Sequence, residues 1–175
     1  MANKLRAVLA EYYPTFLAAF ADLTSKEARA TLHIAPSPVQ GQRIRAGSLT
    51  TALRRACRTR GIPAAVAGIH AALHEVQLRQ APQIEAAMAE HATALLHALD
   101  TAVNNVARLE QSLTDAFEQH PDAPIITSFN GMGTVLGARI LGEIGDDRTR
   151  FATARGTNAF AGTSQRSSPT SSAPY

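Results

Sequence analysis

The residues best placed to bind a ligand are two glycines, Gly131 and Gly133, in an otherwise apolar stretch from Ser128 to Asp146. Glycine permits positive φ angles and the close approach of another surface. Apolar residues at helical spacing follow, so we expect a helix end, a tight turn and a second helix starting near Thr134. Unpaired N–H groups at a helix start favour an anion such as a phosphate. Two interpretations stay open: a helix-hairpin-helix that clamps the DNA backbone, and a helical corner without a ligand.

Side chains that could carry out catalysis are scarce. His70 and His74 have the spacing of zinc ligands on a helix, but no third ligand follows at a useful spacing, so packing or surface histidines are expected. Glu143, Asp146 and Asp147 form an acidic cluster that we expect to be solvated or paired with arginines rather than to hold two cations. The sequence therefore predicts no catalytic residue, no metal site and no cofactor within this chain.

Positive charge is concentrated in one part of the sequence, although the net charge is only +3 over 175 residues. Between Glu27 and Glu75 there is no acidic residue. Seven arginines lie in that interval: Arg29, Arg43, Arg45, Arg54, Arg55, Arg58 and Arg60. Such clustering suits a polyanion, and the alternative is a solvated basic face. A helix capped by Ser48 and running to about Arg60 would bring Arg54, Arg55 and Arg58 together on neighbouring turns.

The composition predicts an all-α fold. Hydrophobic residues make up 45% of the chain, many of them alanine, while aromatic residues make up 5% and tryptophan is absent. Cys57 is the only cysteine, which excludes an intrachain disulfide. No apolar run has the length needed to cross a membrane, so a cytoplasmic protein with no membrane partner is expected.

The clearest secondary-structure signal is a heptad repeat between Pro82 and about Gln119. Apolar residues recur there with alternating spacings of four and three. They are Met88, Ala92, Leu95, Leu99, Ala102, Val106, Leu109, Leu113 and Ala116. We favour a coiled coil in which Leu95, Leu99, Val106, Leu109 and Leu113 mediate oligomerisation. The alternative is an intrachain hairpin with the helix expected at 62–78.

These signals divide the chain into four segments. Residues 1–81 form a basic helical region, with a loop from Pro36 to Gly47, and residues 82–120 form the coiled-coil helix. The glycine hairpin and a last short helix occupy 124–163. Residues 164–175 have no apolar period and are expected to be disordered.

Three motifs in fixed order carry a family resemblance: Phe129-Asn-Gly-Met-Gly, then Leu136 to Phe151 containing Glu-Ile-Gly-Asp, then Ala-Phe-Ala-Gly-Thr ending at Thr163. This arrangement resembles the C-terminal transposase domain of the bacterial insertion-sequence family IS110/IS116/IS902. The resemblance runs from about Asn3 to Thr163. It implies that 1–81 is the end of an N-terminal domain with a connector, and that 124–163 is a partial transposase domain.

The resemblance implies a DNA recombinase that moves its element between sites. Family members have an N-terminal DEDD carboxylate site that uses Mg²⁺, a coiled coil, and a C-terminal domain with a nucleophilic serine. They use an RNA from the element to choose DNA. DNA, element-encoded RNA and further transposase subunits are therefore the expected partners. The predicted DNA contacts are Gly131, Gly133, Thr134, Arg148, Arg150, Arg54, Arg55 and Arg58.

The sequence departs from the family pattern at both ends. The DEDD carboxylates would lie upstream of Met1, and the Ser-Gly expected after Thr163 is replaced by a serine-rich tail. No catalytic serine is therefore assigned. The expectation is a truncated transposase that does not cut DNA alone. An alternative is a coiled-coil interaction module, or a regulator that joins oligomers of full-length transposase.

Overall fold

The computed structural model describes residues 1–145, 147, 149–151 and 153–160. Within these residues the secondary structure is entirely helical, which confirms the predicted fold class. The helices are α1 (Ala2–Tyr12), α2 (Pro14–Ala19), α3 (Lys26–Ile34), α4 (Pro38–Arg43), α5 (Ala46–Arg55), α6 (Ile62–Leu73), α7 (Pro82–Glu118), α8 (Ala123–Thr127), α9 (Thr134–Ile144) and α10 (Ala154–Phe160). The predicted disordered tail lies outside the described residues.

The chain divides into two compact units, Met1–Ala107 and Arg108–Tyr175. The boundary falls inside α7, whereas the sequence interpretation treated 82–120 as a segment of its own. The reason is that the first half of α7 contributes Ala92, Leu96 and Leu99 to the core of the N-terminal unit. Burial of an apolar face, rather than helix length, decides to which unit this half belongs.

The core of the N-terminal unit is built from α1 to α7. Leu5, Leu9 and Phe16 are fully buried in it. Tyr13 shares this core, and its ring lies against the backbone of α4, where a Cβ at Gly41 would sit 1.9 Å from the Tyr13 hydroxyl oxygen. Only glycine therefore fits at this crossing. The sequence predicts a loop where α4 lies. The helix forms there because Ser37 caps it and accepts a hydrogen bond from the Gln40 N–H.

The end of α5 differs from the prediction. The helix stops at Arg55 rather than near Arg60, and Arg45 rather than Ser48 occupies the N-cap position. Cys57 adopts a left-handed conformation with φ of 64°. The Arg58 N–H donates to the Leu53 carbonyl over 3.1 Å, and the Cys57 N–H donates to the Arg54 carbonyl over 3.0 Å. This is the Schellman pattern, which ordinarily has glycine at the position of Cys57, so no glycine marks this helix end in the sequence.

The C-terminal unit has a smaller core around Phe117, Ala123 and Ala138, all buried. Gly137 lets α9 pack closely here, since a Cβ at that position would sit 2.8 Å from Phe117 Cζ. Ile126 of α8 packs against the same core. Among the described residues of either unit, no helix combines the length and apolar character that crossing a bilayer requires.

Candidate nucleic-acid interface

The glycine turn joins α8 to α9 as the sequence predicts. Gly131 adopts a φ of 80°, which favours glycine. Gly133 is the N-cap of α9 with φ −79° and ψ 164°, an extended conformation that any residue can adopt. A Cβ built on either glycine meets nothing within 4 Å. Gly131 is thus required by the turn itself, while Gly133 leaves open space at the start of α9.

The start of α9 offers backbone donors to a ligand. No side chain caps it, and the first helical hydrogen bond runs from the Gly137 N–H to the Gly133 carbonyl over 2.8 Å. The N–H groups of Thr134, Val135 and Leu136 come before that bond, so they face the end of the helix. The positive end of the helix dipole adds to the attraction for an anion. Phe129, exposed by 60%, stands beside the turn.

Arg150, one of the predicted DNA contacts, is held within the C-terminal unit. Its Nη1 donates to the carbonyls of Glu143 over 3.1 Å and Ile144 over 3.0 Å, which caps the end of α9. The guanidinium also lies 5.2 Å from the ring centroid of Phe151 and 5.0 Å from that of Phe160. Its position is therefore explained by contacts inside the chain. Arg148, the neighbouring predicted contact, lies outside the described residues.

The arginines of α5 differ from one another in their contacts. Arg54 and Arg55 are exposed in the last turn of α5, where positive charge also suits the helix dipole. Arg58 lies beyond the helix end and is half-buried, with Nη1 3.4 Å from Glu27 Oε1. Of these three, Arg54 and Arg55 present their charge to solvent, while part of the charge of Arg58 is neutralised.

A groove of about 710 Å³ lies beside Arg54, between α5 and α6, while Arg55 lines a separate depression between α3 and α5. Thr50 and Arg54 line it from α5, while Val66 and His70 line it from α6. Arg43 at the end of α4 and Arg45 at the start of α5 are exposed and line a second depression. The basic face of the N-terminal unit therefore extends along α5 and contains a concave surface.

The residues considered for catalysis form stacking and hydrogen-bond contacts within the described part of the chain. The rings of His70 and His74 stack with centroids 3.9 Å apart, and His74 Nδ1 lies 2.8 Å from the His70 carbonyl oxygen. Asp147 Oδ1 accepts from the backbone N–H of Thr149 over 2.8 Å and from its hydroxyl over 2.6 Å. These bonds hold the pKa of Asp147 below its usual value. Asp146 lies outside the described residues.

The residues predicted to mediate oligomerisation fall into two groups. Leu99 is 4% exposed within the core of the N-terminal unit, and Leu95 packs against the same core. Val106, Leu109 and Leu113 are 54%, 65% and 38% exposed. The oligomerisation hypothesis therefore rests on the last three residues alone.

A group that the sequence interpretation missed lies in the N-terminal unit. His33 of α3 approaches His97 and Asp100 of α7, and Arg29 pairs with the same aspartate. The three-residue spacing of His97 and Asp100 was visible in the sequence, because such residues share a helix face. His33 lies more than sixty positions away, so only the fold brings it to them.

Comparison with known proteins gives two matches. Residues 123–172 match the Transposase IS116/IS110/IS902 family, beginning at the first residue of α8 and extending past Thr163. The chain is 38% identical over 166 residues to the Streptomyces coelicolor protein named "Mini-circle putative transposase for IS117". That alignment covers 93% of this chain and 40% of the length of the curated relative. No solved structure matches the chain.

Proposed function

Because this chain belongs to the IS116/IS110/IS902 family of transposases, we propose that it supplies DNA-contacting and subunit-contacting surfaces for DNA transposition. The observation that supports this most is the coincidence of the family match with the α8–α9 turn. That turn has an uncapped helix start and open space at Gly133. Because the proposed partner is DNA, we expect the protein to act in the bacterial cytoplasm.

The α8–α9 turn acts as a clamp on one phosphate of the DNA backbone. The N–H groups of residues 134–136 donate to the phosphate oxygens, and the helix dipole favours the negative charge. The glycine at 133 allows the sugar–phosphate chain to approach the backbone. Such contacts fix position without reading sequence. This surface is therefore a non-sequence-specific element of a helix-hairpin-helix type.

A second contact surface lies on the N-terminal unit. Arg54 and Arg55 are exposed in a segment without acidic side chains. Arg54 lines the groove between α5 and α6, and Arg55 lines a depression between α3 and α5. Their charge suits the phosphates of either DNA or a structured RNA. In this proposal Arg58 contributes less, because Glu27 neutralises part of its charge.

We expect strand transfer to be catalysed by residues other than those that the structure describes. Among the described residues, the one set of three potential metal-ligating side chains is His33, His97 and Asp100, which lacks the several carboxylates of a two-Mg²⁺ site. We therefore expect the purified chain to bind DNA without cutting it. A strand-transfer assay with Mg²⁺ and element-end DNA checks this expectation, and any product would contradict it.

The phosphate clamp is tested by Gly133→Val. The extended backbone at Gly133 accepts valine, so the substitution fills the open space without straining the turn. Gly142→Val is the matched control, since a Cβ there also meets nothing within 4 Å but lies on the opposite half of α9. We expect affinity for duplex DNA, measured by fluorescence anisotropy, to fall about tenfold in Gly133→Val alone, as for the loss of one hydrogen bond to a charged phosphate. Equal affinity of the two variants would contradict the clamp.

A second function, association with other transposase subunits, is supported by the exposed part of the heptad repeat. Val106, Leu109 and Leu113 present an apolar stripe on α7. In this proposal the stripe pairs with the same segment of a second copy or of a full-length transposase. A mixed oligomer with full-length transposase would be inhibited in transposition. Light scattering should show an oligomer that Leu109→Asp converts to a monomer. A monomeric wild-type protein that also fails to co-purify with full-length transposase would exclude this function.

A further inference from the structure

Two histidines and an aspartate meet on the surface of the N-terminal unit. His33 lies in the last turn of α3, and its Nε2 is 2.6 Å from Asp100 Oδ2. His97 precedes Asp100 by three residues on α7, and its ring centroid lies 5.3 Å from that of His33. One ligating atom from each of the three side chains lies within 4.8 Å of the other two.

We propose that His33, His97 and Asp100 bind a divalent transition-metal ion of the zinc class. Zinc takes imidazole nitrogen and carboxylate oxygen at about 2.0–2.2 Å, which places tetrahedral ligand atoms about 3.4 Å apart. His33 Nε2 and Asp100 Oδ2 are 2.6 Å apart, which is closer than that separation, so these two atoms need only move slightly apart. His97 is exposed, so rotation of its side chain can close the remaining gap. The ion takes the place of the hydrogen atom between His33 Nε2 and Asp100 Oδ2: the neutral imidazole binds through Nε2 with its one ring proton on Nδ1, and any second ring proton passes to solvent.

Arg29 orients the carboxylate for this role. Its Nη1 donates to Asp100 Oδ1 over 2.5 Å, which leaves Oδ2 directed at the two histidines. A ligating carboxylate held by a second hydrogen bond is usual in metal sites. The positive charge of Arg29 opposes the ion, so binding is moderate in strength.

The donor set determines which ions fit. Two of the three ligands are imidazoles, which suit zinc, copper and nickel, whereas magnesium and calcium prefer oxygen. The site therefore favours ions of the zinc class over Mg²⁺, and it does not rest on the proposed function. Three protein ligands leave an open coordination position, which water reaches because His33 and His97 are exposed. A bound ion would join the end of α3 to the first half of α7 and stabilise the N-terminal unit.

The test is zinc binding by the full chain without an affinity tag. A Cys57→Ser background removes the exposed thiol, which is itself a zinc ligand. We expect calorimetry to show one Zn²⁺ per chain, and thermal unfolding to shift upward with Zn²⁺ and not with Mg²⁺. His97→Ala should weaken zinc binding about tenfold or more, and His33→Gln should do the same. Circular dichroism without zinc verifies that both variants fold.

Two histidines serve as matched controls. His91 is exposed on the same helix and His74 belongs to the stacked pair on α6, so His91→Ala and His74→Ala should bind zinc like the background protein. Absence of zinc binding in the background protein would overturn the proposal. So would unchanged binding in His97→Ala, or a comparable loss in either control.

Discussion

The two halves of α7 have the same heptad spacing and opposite surroundings. In the first half, Ala92, Leu96 and Leu99 are buried in the core of the N-terminal unit. In the second half, Val106 and Leu109 are more than half exposed. A heptad repeat therefore reports that a helix has an apolar face, and it does not report whether the same chain covers that face. Two acidic side chains of the first half, Glu85 and Asp100, also form ion pairs with Arg79 and Arg29.

Among substitutions in the two halves of α7, Leu99→Ala should have the largest effect on the free energy of unfolding. The side chain is 4% exposed, so its truncation leaves a cavity in the core. We expect the free energy of unfolding of the N-terminal unit to fall by about 2–4 kcal/mol. Urea unfolding followed by circular dichroism measures this loss. A loss below about 1 kcal/mol would mean that the first half of α7 is not part of the core.

An intermediate effect is expected from Glu85→Gln. Glu85 is buried and accepts from Arg79 through both carboxylate oxygens. These bonds lower the pKa of Glu85, with burial opposing them. Loss of the charged partner should cost about 1–3 kcal/mol at pH 7, measured by urea unfolding.

The pH dependence of that cost follows from the lowered pKa. Stability from Glu85 is fully present above its unfolded pKa of about 4.3 and is lost as the pH falls through the lower folded value. The difference in stability between wild type and Glu85→Gln should therefore narrow as the pH falls below about 4. A difference that grows on acidification would contradict the assignment.

The smallest effect is expected from Leu109→Ala in the second half. The side chain is 65% exposed, so the monomer loses little buried area. We expect a change within about 0.5 kcal/mol in the free energy of unfolding at protein concentrations where the chain is monomeric. A loss similar to that of Leu99→Ala would show that both halves are covered within one chain.

Features set by local residues were predictable from the sequence. The sequence predicts a long helix from Pro82 to about Gln119, and the helix runs from Pro82 to Glu118. Pro82 starts it, the heptad repeat continues it, and Pro121 and Pro124 follow its end. The turn between α8 and α9 followed from its glycines. Helix α4 was missed because Pro38 occupies its first turn, a position that also suits a loop.

Features that depend on tertiary contacts were not predictable. Cys57 takes a left-handed conformation that its residue type does not signal, so the end of α5 was placed too late. The burial of Leu99 depends on which helices pack against α7. The approach of His33 to Asp100 joins distant parts of the chain. The sequence predicts a DNA contact at Arg150, and it does not indicate that the side chain also caps α9 and lies over the rings of Phe151 and Phe160.

Contact of the chain with the DNA backbone is tested by the salt dependence of its DNA binding. The dissociation constant for a duplex of random sequence should be measured over a range of KCl concentrations. We expect the logarithm of the association constant to fall linearly with the logarithm of salt, and the slope to decrease by about 1.8 when Arg54 and Arg55 are both replaced by alanine. An absence of binding at low salt, or binding that is independent of salt, would contradict contact with the DNA backbone.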